Sequence, residues 1–588
     1  MHRPLRLSSR RTAAGLTTLL VGSALALTAP MLVPSVAEAC GGTFCDVGPT
    51  AMPVDQTGEN ILFHIGPNSV EAHIQIQYDP NSGAEQFAWL IPVTALPEFE
   101  VGSQLFFDAI LNASVPSYGM TVQTDFCSAD DDNFGGTGGL TGAAGEDGGD
   151  DNSGEGGDDG PKVVLNTSVG AFEIAVLDGG TVDGVMQWLE DNGYQQDPAA
   201  APIIEQYLEE EFLFVAMKLG NQAGVDEIHP VVIRYEGVEP CVPIRLTRIA
   251  AVEDMDIRVF FLQDARVVPV NYRHVLVNPL KIDWLNNASN YKEVISMAVD
   301  AQEADGNAFV TEYAGTSNIV QTWQIFQDQW SSVPFEGLVD SPIGAIEQLE
   351  AQGLMFCDTE WDVNCTYNHP LLEGIVNEFI PVPAGVDANL FYDCLSCYEA
   401  QIDLEAWDAA LFAARLDERM FAPGKQAVAL LQDNAYLTRM YTTISPAEMN
   451  VDPMFRINTA LDDVPNIRFA NQTNHCDGSA TVRLPDGREV LFPDATDMTW
   501  PEFGDEMPWE EDVDQENMAD NAPLVNLVDN TEEIDHLLAA YNTKTKAQIT
   551  GLGTGGCACS VDDRDTRGGL ALGLATLALF GLVRRRRR

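Results

Sequence analysis

Sixteen residues without a charge, Gly568–Val583, run directly into five arginines, Arg584–Arg588. That juxtaposition constrains what the rest of the chain can do. As a helix the run spans about 24 Å, somewhat short of a hydrocarbon core of ~30 Å, and snorkelling arginines with local thinning cover the difference. An arginine cluster resists translocation, so it is expected on the cytoplasmic side with the body outside. The other end agrees. Arg3, Arg6, Arg10 and Arg11 precede a mostly apolar stretch, Ala13 to Ala29, and Ala37-Glu38-Ala39 sets small residues before Cys40. This is the order of an export signal, with cleavage expected between Ala39 and Cys40. Ser9-Arg10-Arg11-Thr12 leaves a weak twin-arginine reading open, and Cys40 a lipoprotein one.

Just before the apolar run stands Gly555-Gly556-Cys557-Ala558-Cys559-Ser560. A Gly-Cys motif, a short apolar helix and an arginine cluster in that order resemble the MYXO-CTERM sorting signal of myxobacterial surface proteins. The resemblance implies removal of the tail near Cys557, a product kept at the cell surface, and a lipid on that cysteine as the replacing anchor. A second cysteine, Cys559, leaves the modified position open.

Between these ends the chain is strongly acidic. Lys plus Arg is 31 against 89 Asp plus Glu, a formal charge of −58 over 588 residues. Nucleic acid is excluded as a partner, because phosphate binding needs a concentrated cationic surface. With 45% apolar residues the body can nevertheless bury a sizeable core. Two stretches look unable to join it. Residues 130–160 hold twelve glycines and ten acids with no Lys or Arg, which reads as a disordered insertion. Residues 494–543 hold fifteen acids with no Lys or Arg and read as a solvated, partly disordered stalk.

Nine cysteines lie between Cys40 and Cys476. Thiols outside the cytoplasm usually oxidise. The expected pairs are Cys357–Cys365, Cys394–Cys397 and, at longer range, Cys127–Cys241, although spacing alone fixes no connectivity.

Periodicity places strands first. Ile61–Ile65 and Val70–Tyr78 flank the turn Gly66-Pro67-Asn68-Ser69. Further strands are expected at Phe87–Val93, Lys162–Asn166, Phe172–Leu177, Phe212–Leu219, Val231–Tyr235, Val242–Leu246, Ile257–Leu262 and Val267–Val270. Helices are expected at Ser103–Asn112, Val182–Asn192 and Ile203–Glu211. From Tyr291 helical spacing dominates, at Tyr291–Glu303, Ile319–Trp330, Ile343–Gln352, Leu371–Phe379 and Leu404–Met420. Thr481–Leu484 and Glu489–Phe492 around Pro485-Asp486-Gly487 form a late hairpin.

The fold expected is therefore α+β: a β-rich N-terminal body, a helical second half, disordered acidic insertions and a C-terminal transmembrane segment. In order these are a signal peptide (1–39), a β-rich domain in two parts (40–129 and 161–285) split by the insertion (130–160), a mainly helical region (286–493), an acidic stalk (494–556) and the sorting signal (557–588).

Five further segments carry a second resemblance: Cys40-Gly41-Gly42-Thr43-Phe44-Cys45, Phe87-Ala88-Trp89-Leu90-Ile91-Pro92-Val93, Ala308-Phe309-Val310-Thr311-Glu312-Tyr313-Ala314-Gly315, Tyr436-Leu437-Thr438-Arg439-Met440-Tyr441, and Ile444-Ser445-Pro446-Ala447-Glu448-Met449 followed by Asp452-Pro453-Met454-Phe455. In order and spacing they resemble the DUF2330 family of exported bacterial proteins, from about residue 40 to 460. The resemblance implies no activity, substrate or catalytic residue.

Chemistry leaves little trace. No histidine is followed by Glu, so there is no HExxH zinc helix, and neither a Walker loop nor a GxSxG elbow occurs. Cys394-Leu395-Ser396-Cys397 has redox spacing, but Asp393, Glu399 and Asp403 would raise a thiol pKa, so a structural disulfide is preferred over a redox or zinc site. His64 and His73 should lie diagonally on one face of the first hairpin, a pair that a third ligand could turn into a metal site. In His475-Cys476-Asp477 neighbouring side chains point apart, which disfavours a dyad. Asp512-Val513-Asp514-Gln515-Glu516-Asn517 begins like a calcium loop but has Asn where the turn wants Gly, and Asp130–Phe134 fails at its fifth position. No cofactor is expected, and weak Ca²⁺ binding stays open. The function expected is an exported, membrane-anchored or cell-surface protein, a non-catalytic structural or binding module of the envelope whose partners are the membrane and the export and sorting machinery. The alternative is an envelope enzyme, a thiol-dependent or carboxylate-based hydrolase.

Overall fold

The computed structural model describes residues 43–44, 56–78, 88–125, 160–194, 198–219, 228–238, 240, 242–249, 251–358, 363–519 and 522–551. All of them belong to the unit running from residue 39 to 588. The expected signal cleavage at Ala39 and Cys40, the insertion up to residue 159, Cys127, Cys241, Cys557, Cys559 and the segment Gly568 to Val583 lie outside the described residues. Among the described residues no helix is long and apolar enough to cross a membrane.

Five strands form the centre of a ten-stranded sheet: β1 (Gln56–Ile65), β2 (Ser69–Tyr78), β3 (Ala251–Gln263), β4 (Ala308–Thr316) and β5 (Tyr436–Ile444). Across the sheet the order is Val525–Asp529, Glu510–Gln515, Arg273–Val277, β4, β5, β3, β1, β2, Val231–Glu236 and Glu98–Val101. The turn read at Gly66–Ser69 closes the β1–β2 hairpin, with the Gly66 N–H donating to the Ser69 carbonyl at 2.8 Å. β1 runs parallel to β3, and β5 is antiparallel to both β3 and β4.

One face of this sheet meets a second, five-stranded sheet, ordered Thr43–Phe44, Ala88–Val93, Leu213–Leu219, Phe172–Asp178, Lys162–Val169. Between them lies the main core, built by residues at alternate positions: Ile61 and Phe63, Val259 and Phe261, Met440 and Ile444 from one side, Trp89, Ile91, Ile174, Val176, Val215 and Met217 from the other. The outer face of the small sheet is covered in turn by helices Val182–Asp191 and Ala201–Glu209, whose Leu189, Ile204 and Tyr207 pack over Leu177 and Phe214. The outer face of the large sheet is covered by α1 (Gln104–Ser114) and α2 (Tyr291–Val299). Ser103 caps α1 by accepting from the Phe106 N–H, and Phe106, Phe107 and Ile110 pack on Leu62, Phe260 and Leu262. A separate helical core spans Trp330 to Phe421. A four-stranded sheet, Glu489–Phe492, Ala480–Arg483, Ile467–Asn474 and Ser117–Thr124, closes the other end.

Several expectations are corrected. The second half is not mainly helical, since β4 and β5 supply the middle of the large sheet. Both their faces are covered, so the period-2 contrast that marks a half-solvated strand is missing. Ile319–Trp330 is no helix but holds one short 3₁₀ turn, Thr322–Gln324, just after another at Ser317–Ile319, and Val242–Leu246 is not a strand: after Pro243 the chain makes a helical turn, Ile244–Thr247. The helix expected at Leu404–Met420 starts only at Ala409, where Asp408 caps it by accepting from the Ala410 and Leu411 N–H groups, and it runs on past Leu416 through a π-helical turn, Asp417–Phe421, into Ala422–Asp433.

The expected stalk folds as well. Strands Glu510–Gln515 and Val525–Asp529 extend the large sheet, and helix Thr531–Ile549 buries Ile534 and Leu538 beside Val513 and Phe492. Charge counting missed Arg488, which contacts Asp486, Glu511 and Asp535 at 2.6–2.8 Å.

Candidate functional site

A cluster of ionisable groups sits under α1 and α2 on the outer face of the large sheet. A bulge in β4 between Thr311 and Tyr313 turns Glu312 toward β5. There its Oε2 meets Arg439 Nε at 2.5 Å, with both side chains almost wholly buried. Arg439 Nη1 also donates to the Leu111 carbonyl (3.0 Å) and to Ser114 Oγ (3.3 Å), and the guanidinium lies over the Phe260 ring. Arg439 thus ties the C-terminal turn of α1 to the sheet.

The other oxygen, Glu312 Oε1, accepts from the Tyr291 hydroxyl at 2.9 Å. Tyr291 stacks on Tyr441, and its ring lies 5.5 Å from that of Tyr118, whose hydroxyl accepts from Arg468 at 2.6 Å. The Tyr441 hydroxyl donates to Asp256 (2.8 Å), which also pairs with Arg258 and Lys292. Burial pushes the Tyr291 and Tyr441 hydroxyls well up, and their carboxylate neighbours push the same way. Burial alone would raise Asp256, but Lys292 and Arg258 outweigh it and hold it below the usual carboxylate range. Both carboxylates, Glu312 and Asp256, are thus paired with cations, whereas Arg468 donates to the Tyr118 hydroxyl and the Glu312 backbone carbonyl. Such a constellation fixes a packing; it offers no free base.

The histidines divide by burial. His229 is fully buried: it accepts from the Ala171 N–H and donates to the Pro230 carbonyl, under Gly170, whose positive φ and close contact with the ring leave no room for a Cβ. Burial pushes it down to about 4. His274 lies 2.7 Å from Thr311 Oγ1 and 3.1 Å from Arg266, and burial together with that guanidinium pushes it down to about 3. Both are neutral packing groups at any ordinary pH. His64 and His73 do share a face, with Glu71 opposite His64 and Leu62 opposite His73. Glu71 instead binds His73 Nε2 and Arg234 Nε, each at 2.7 Å. Burial opposes its ionisation, yet these two partners bring it down to about 2.

His475 is different: its side chain is about one third exposed (34%). Its Nδ1 lies 2.8 Å from Asp125 Oδ2 and its Nε2 2.8 Å from Thr481 Oγ1, a carboxylate–imidazole–hydroxyl line between the end of strand Ser117–Thr124 and the late hairpin. The sequence reading disfavours a dyad of His475 with its neighbours, and those neighbours are engaged elsewhere: Asp477 accepts from the Ser479 hydroxyl and N–H, and Cys476 is disulfide-bonded.

Two of the expected cysteine pairs are joined. Cys357 and Cys365 face each other across the hairpin Met355–Asp358/Asn364–Tyr367, and Cys394 is bonded to Cys397. The CxxC thiols are therefore tied up in a bridge rather than a zinc site. Asp512 and Asp514 lie on a strand, not in a calcium loop, and both accept from the Asn526 amide. Among the described residues no group of three or more His, Cys, Asp or Glu could hold a metal ion. An apolar crevice of ≈ 40 Å³, lined by Ile61, Phe63, Ile91, Val93, Ile233 and Tyr235, sits between the two sheets and has room for about one water.

The Glu312–Arg439 pair was not anticipated. Its signal was present, as one charged residue inside each of two apolar runs, Ala308–Gly315 and Tyr436–Tyr441.

A protein family described as uncharacterised and conserved in bacteria, DUF2330, matches residues 34–456, which include Glu312, Arg439, Tyr291, Tyr441 and both described disulfides. No curated protein matches. Among solved structures, baculovirus P35 aligns at 10% identity over 38% of this chain and 75% of its own, with a TM-score of 0.22. A mutated baculovirus P35 after caspase cleavage aligns at 8% over 38% and 78%, with a TM-score of 0.21.

Proposed function

We propose that this chain, which belongs to the DUF2330 family, is an exported, surface- or membrane-anchored module of the bacterial envelope with a structural or binding role. The observation that carries this reading is the pair of disulfides, Cys357–Cys365 and Cys394–Cys397, because such bridges persist in oxidising compartments and are rare in the cytosol. The arginine-flanked apolar termini supply the route. The first delivers the chain, and the second, with its MYXO-CTERM-like order, is removed near Cys557 and replaced by an anchor. A non-catalytic role is supported by the way the charges of the family segments are consumed: Glu312 and Arg439 neutralise each other inside the fold. Protease added to intact cells should digest the body; protection equal to that of a cytoplasmic marker would overturn the surface assignment.

One observation favours the second reading, an envelope hydrolase. Asp125, His475 and Thr481 stand in the order by which a carboxylate orients an imidazole that takes a proton from a hydroxyl. A fluorophosphonate probe decides. Labelling that disappears in Thr481→Ala supports the enzyme; an unlabelled wild type supports the module.

A further inference from the structure

Six strands lie at the edges of the three larger sheets. An edge strand shows a row of unpaired N–H and C=O groups with which another chain can pair, and short length, charges and bulges are the usual defences. Five of the six edges carry at least one. Thr43–Phe44 has two residues, while Glu489–Phe492 and Glu98–Val101 have four each and present Glu489, Glu98 and Glu100. Lys162–Val169 begins on a lysine and is bulged at Val164, and Val525–Asp529 is bulged at Leu527 and ends on an acid.

Strand Ser117–Thr124 carries none of them. Its eight residues include no charge and no proline, and its parallel register with Ile467–Asn474 is unbroken. The Ser117 N–H donates to the Asn466 carbonyl (2.8 Å) and the Asp125 N–H to the Asn474 carbonyl (2.9 Å). Odd positions therefore face the sheet, and alternation turns the N–H and C=O groups of Tyr118, Met120, Val122 and Thr124 outward. No described residue pairs with that row. Thr121 to Thr124 are exposed, Val122 by 59%. Beside them the Phe469 ring lies against Gly119, leaving no room for a Cβ, and is itself half exposed.

Charge narrows what can dock there. With a formal charge of −58, two copies repel over most of their surface and approach best where the surface bears none. The outward row also offers one acceptor for every donor, and the same strand turned end for end returns both in kind. We propose that Ser117–Thr124 is a self-association edge, at which two copies pair antiparallel about a two-fold axis at Val122 and join their four-stranded sheets into one. In that register Val122 of one copy opposes Val122 of the other, and Met120 opposes Thr124, so these outward residues all enter hydrogen-bonded pairs. A contact one strand wide is smaller than a stable dimer needs, so the pair is weak, with a Kd of about 100 μM. The edge belongs to the fold, and the proposal stands or falls separately from the envelope role.

Sedimentation equilibrium of the purified full chain, from about 1 to about 300 μM, tests this. The wild type should pass from monomer to dimer across that range. Added salt should strengthen the dimer by screening the net charge, whereas an ion-paired interface would weaken. Val122→Lys sets two like charges on the axis and should weaken the dimer at least tenfold; because Val122 is largely in solvent, the variant should melt as the wild type does. Val122→Cys should crosslink two copies through that position on oxidation, since Cα atoms of a hydrogen-bonded pair lie about 5.5 Å apart, within disulfide range. A chain that stays monomeric throughout, or a dimer that forms unaltered in Val122→Lys and fails to crosslink in Val122→Cys, would overturn the proposal.

Discussion

The two faces of the large sheet use the same strands for opposite purposes. Toward the second sheet, β1, β3 and β5 present Ile61, Phe63, Val259, Phe261, Met440 and Ile444, an apolar layer in which any well-packed side chain of the right size would serve. Toward α1 and α2 the alternate residues of β3 and β5 include Asp256, Arg258, Arg439 and Tyr441, joined by Glu312 from the bulge in β4. The apolar face supplies free energy through burial. The charged face gains little net stability from its pairs, because desolvation offsets their attraction. It does tie the two helices to the sheet, α1 through Arg439 to Leu111 and Ser114 and α2 through Tyr291 to Glu312.

Variants can break this contrast. The largest effect is expected for Arg439→Ala, which strands Glu312 without its counter-charge and removes packing on Phe260. It should cost about 5 kcal/mol in denaturant unfolding. Arg439→Met combined with Glu312→Leu should recover most of that loss; a double variant as unstable as Arg439→Ala would show that the pair itself supplies stability. Phe261→Ala, on the apolar face and fully buried, should cost about 4 kcal/mol by the same measurement. Tyr441→Phe keeps the ring stack and leaves Asp256 with Arg258 and Lys292, so about 1 kcal/mol is expected.

A further effect concerns acid. Glu71 titrates near 2 in the fold against about 4.5 in an unfolded chain. Its contribution is present above the unfolded value and is lost as pH falls from about 4.5 toward 2. Glu71→Gln should flatten that part of the stability profile, as read from denaturant unfolding across this pH range.

The contrast also explains what the sequence revealed. The β1–β2 hairpin was legible because Gly66–Ser69 is a strong turn and the flanking runs alternate. β4 and β5 were not, because Thr438, Arg439, Thr442 and Thr443 look solvated in sequence yet are 0–3% exposed. A polar residue that finds its partner inside the fold carries the same one-letter signal as one facing water. Local spacing made Cys357–Cys365 and Cys394–Cys397 readable, whereas Asp125 and His475, 350 positions apart, share no pattern until the strands Ser117–Thr124 and Ile467–Asn474 pair. The acidic region after residue 494 misled for a related reason. Its charge was counted, but Val513, Ile534 and Leu538, which anchor it, were not weighed against that charge.

Mass spectrometry of the protein purified from its own cells without reductant tests the account most directly. The account predicts an N-terminus at Cys40, a C-terminus cut near Cys557, and peptides crosslinked through Cys357–Cys365 and Cys394–Cys397. An unprocessed chain from Met1 to Arg588 with all four of those thiols free would contradict it.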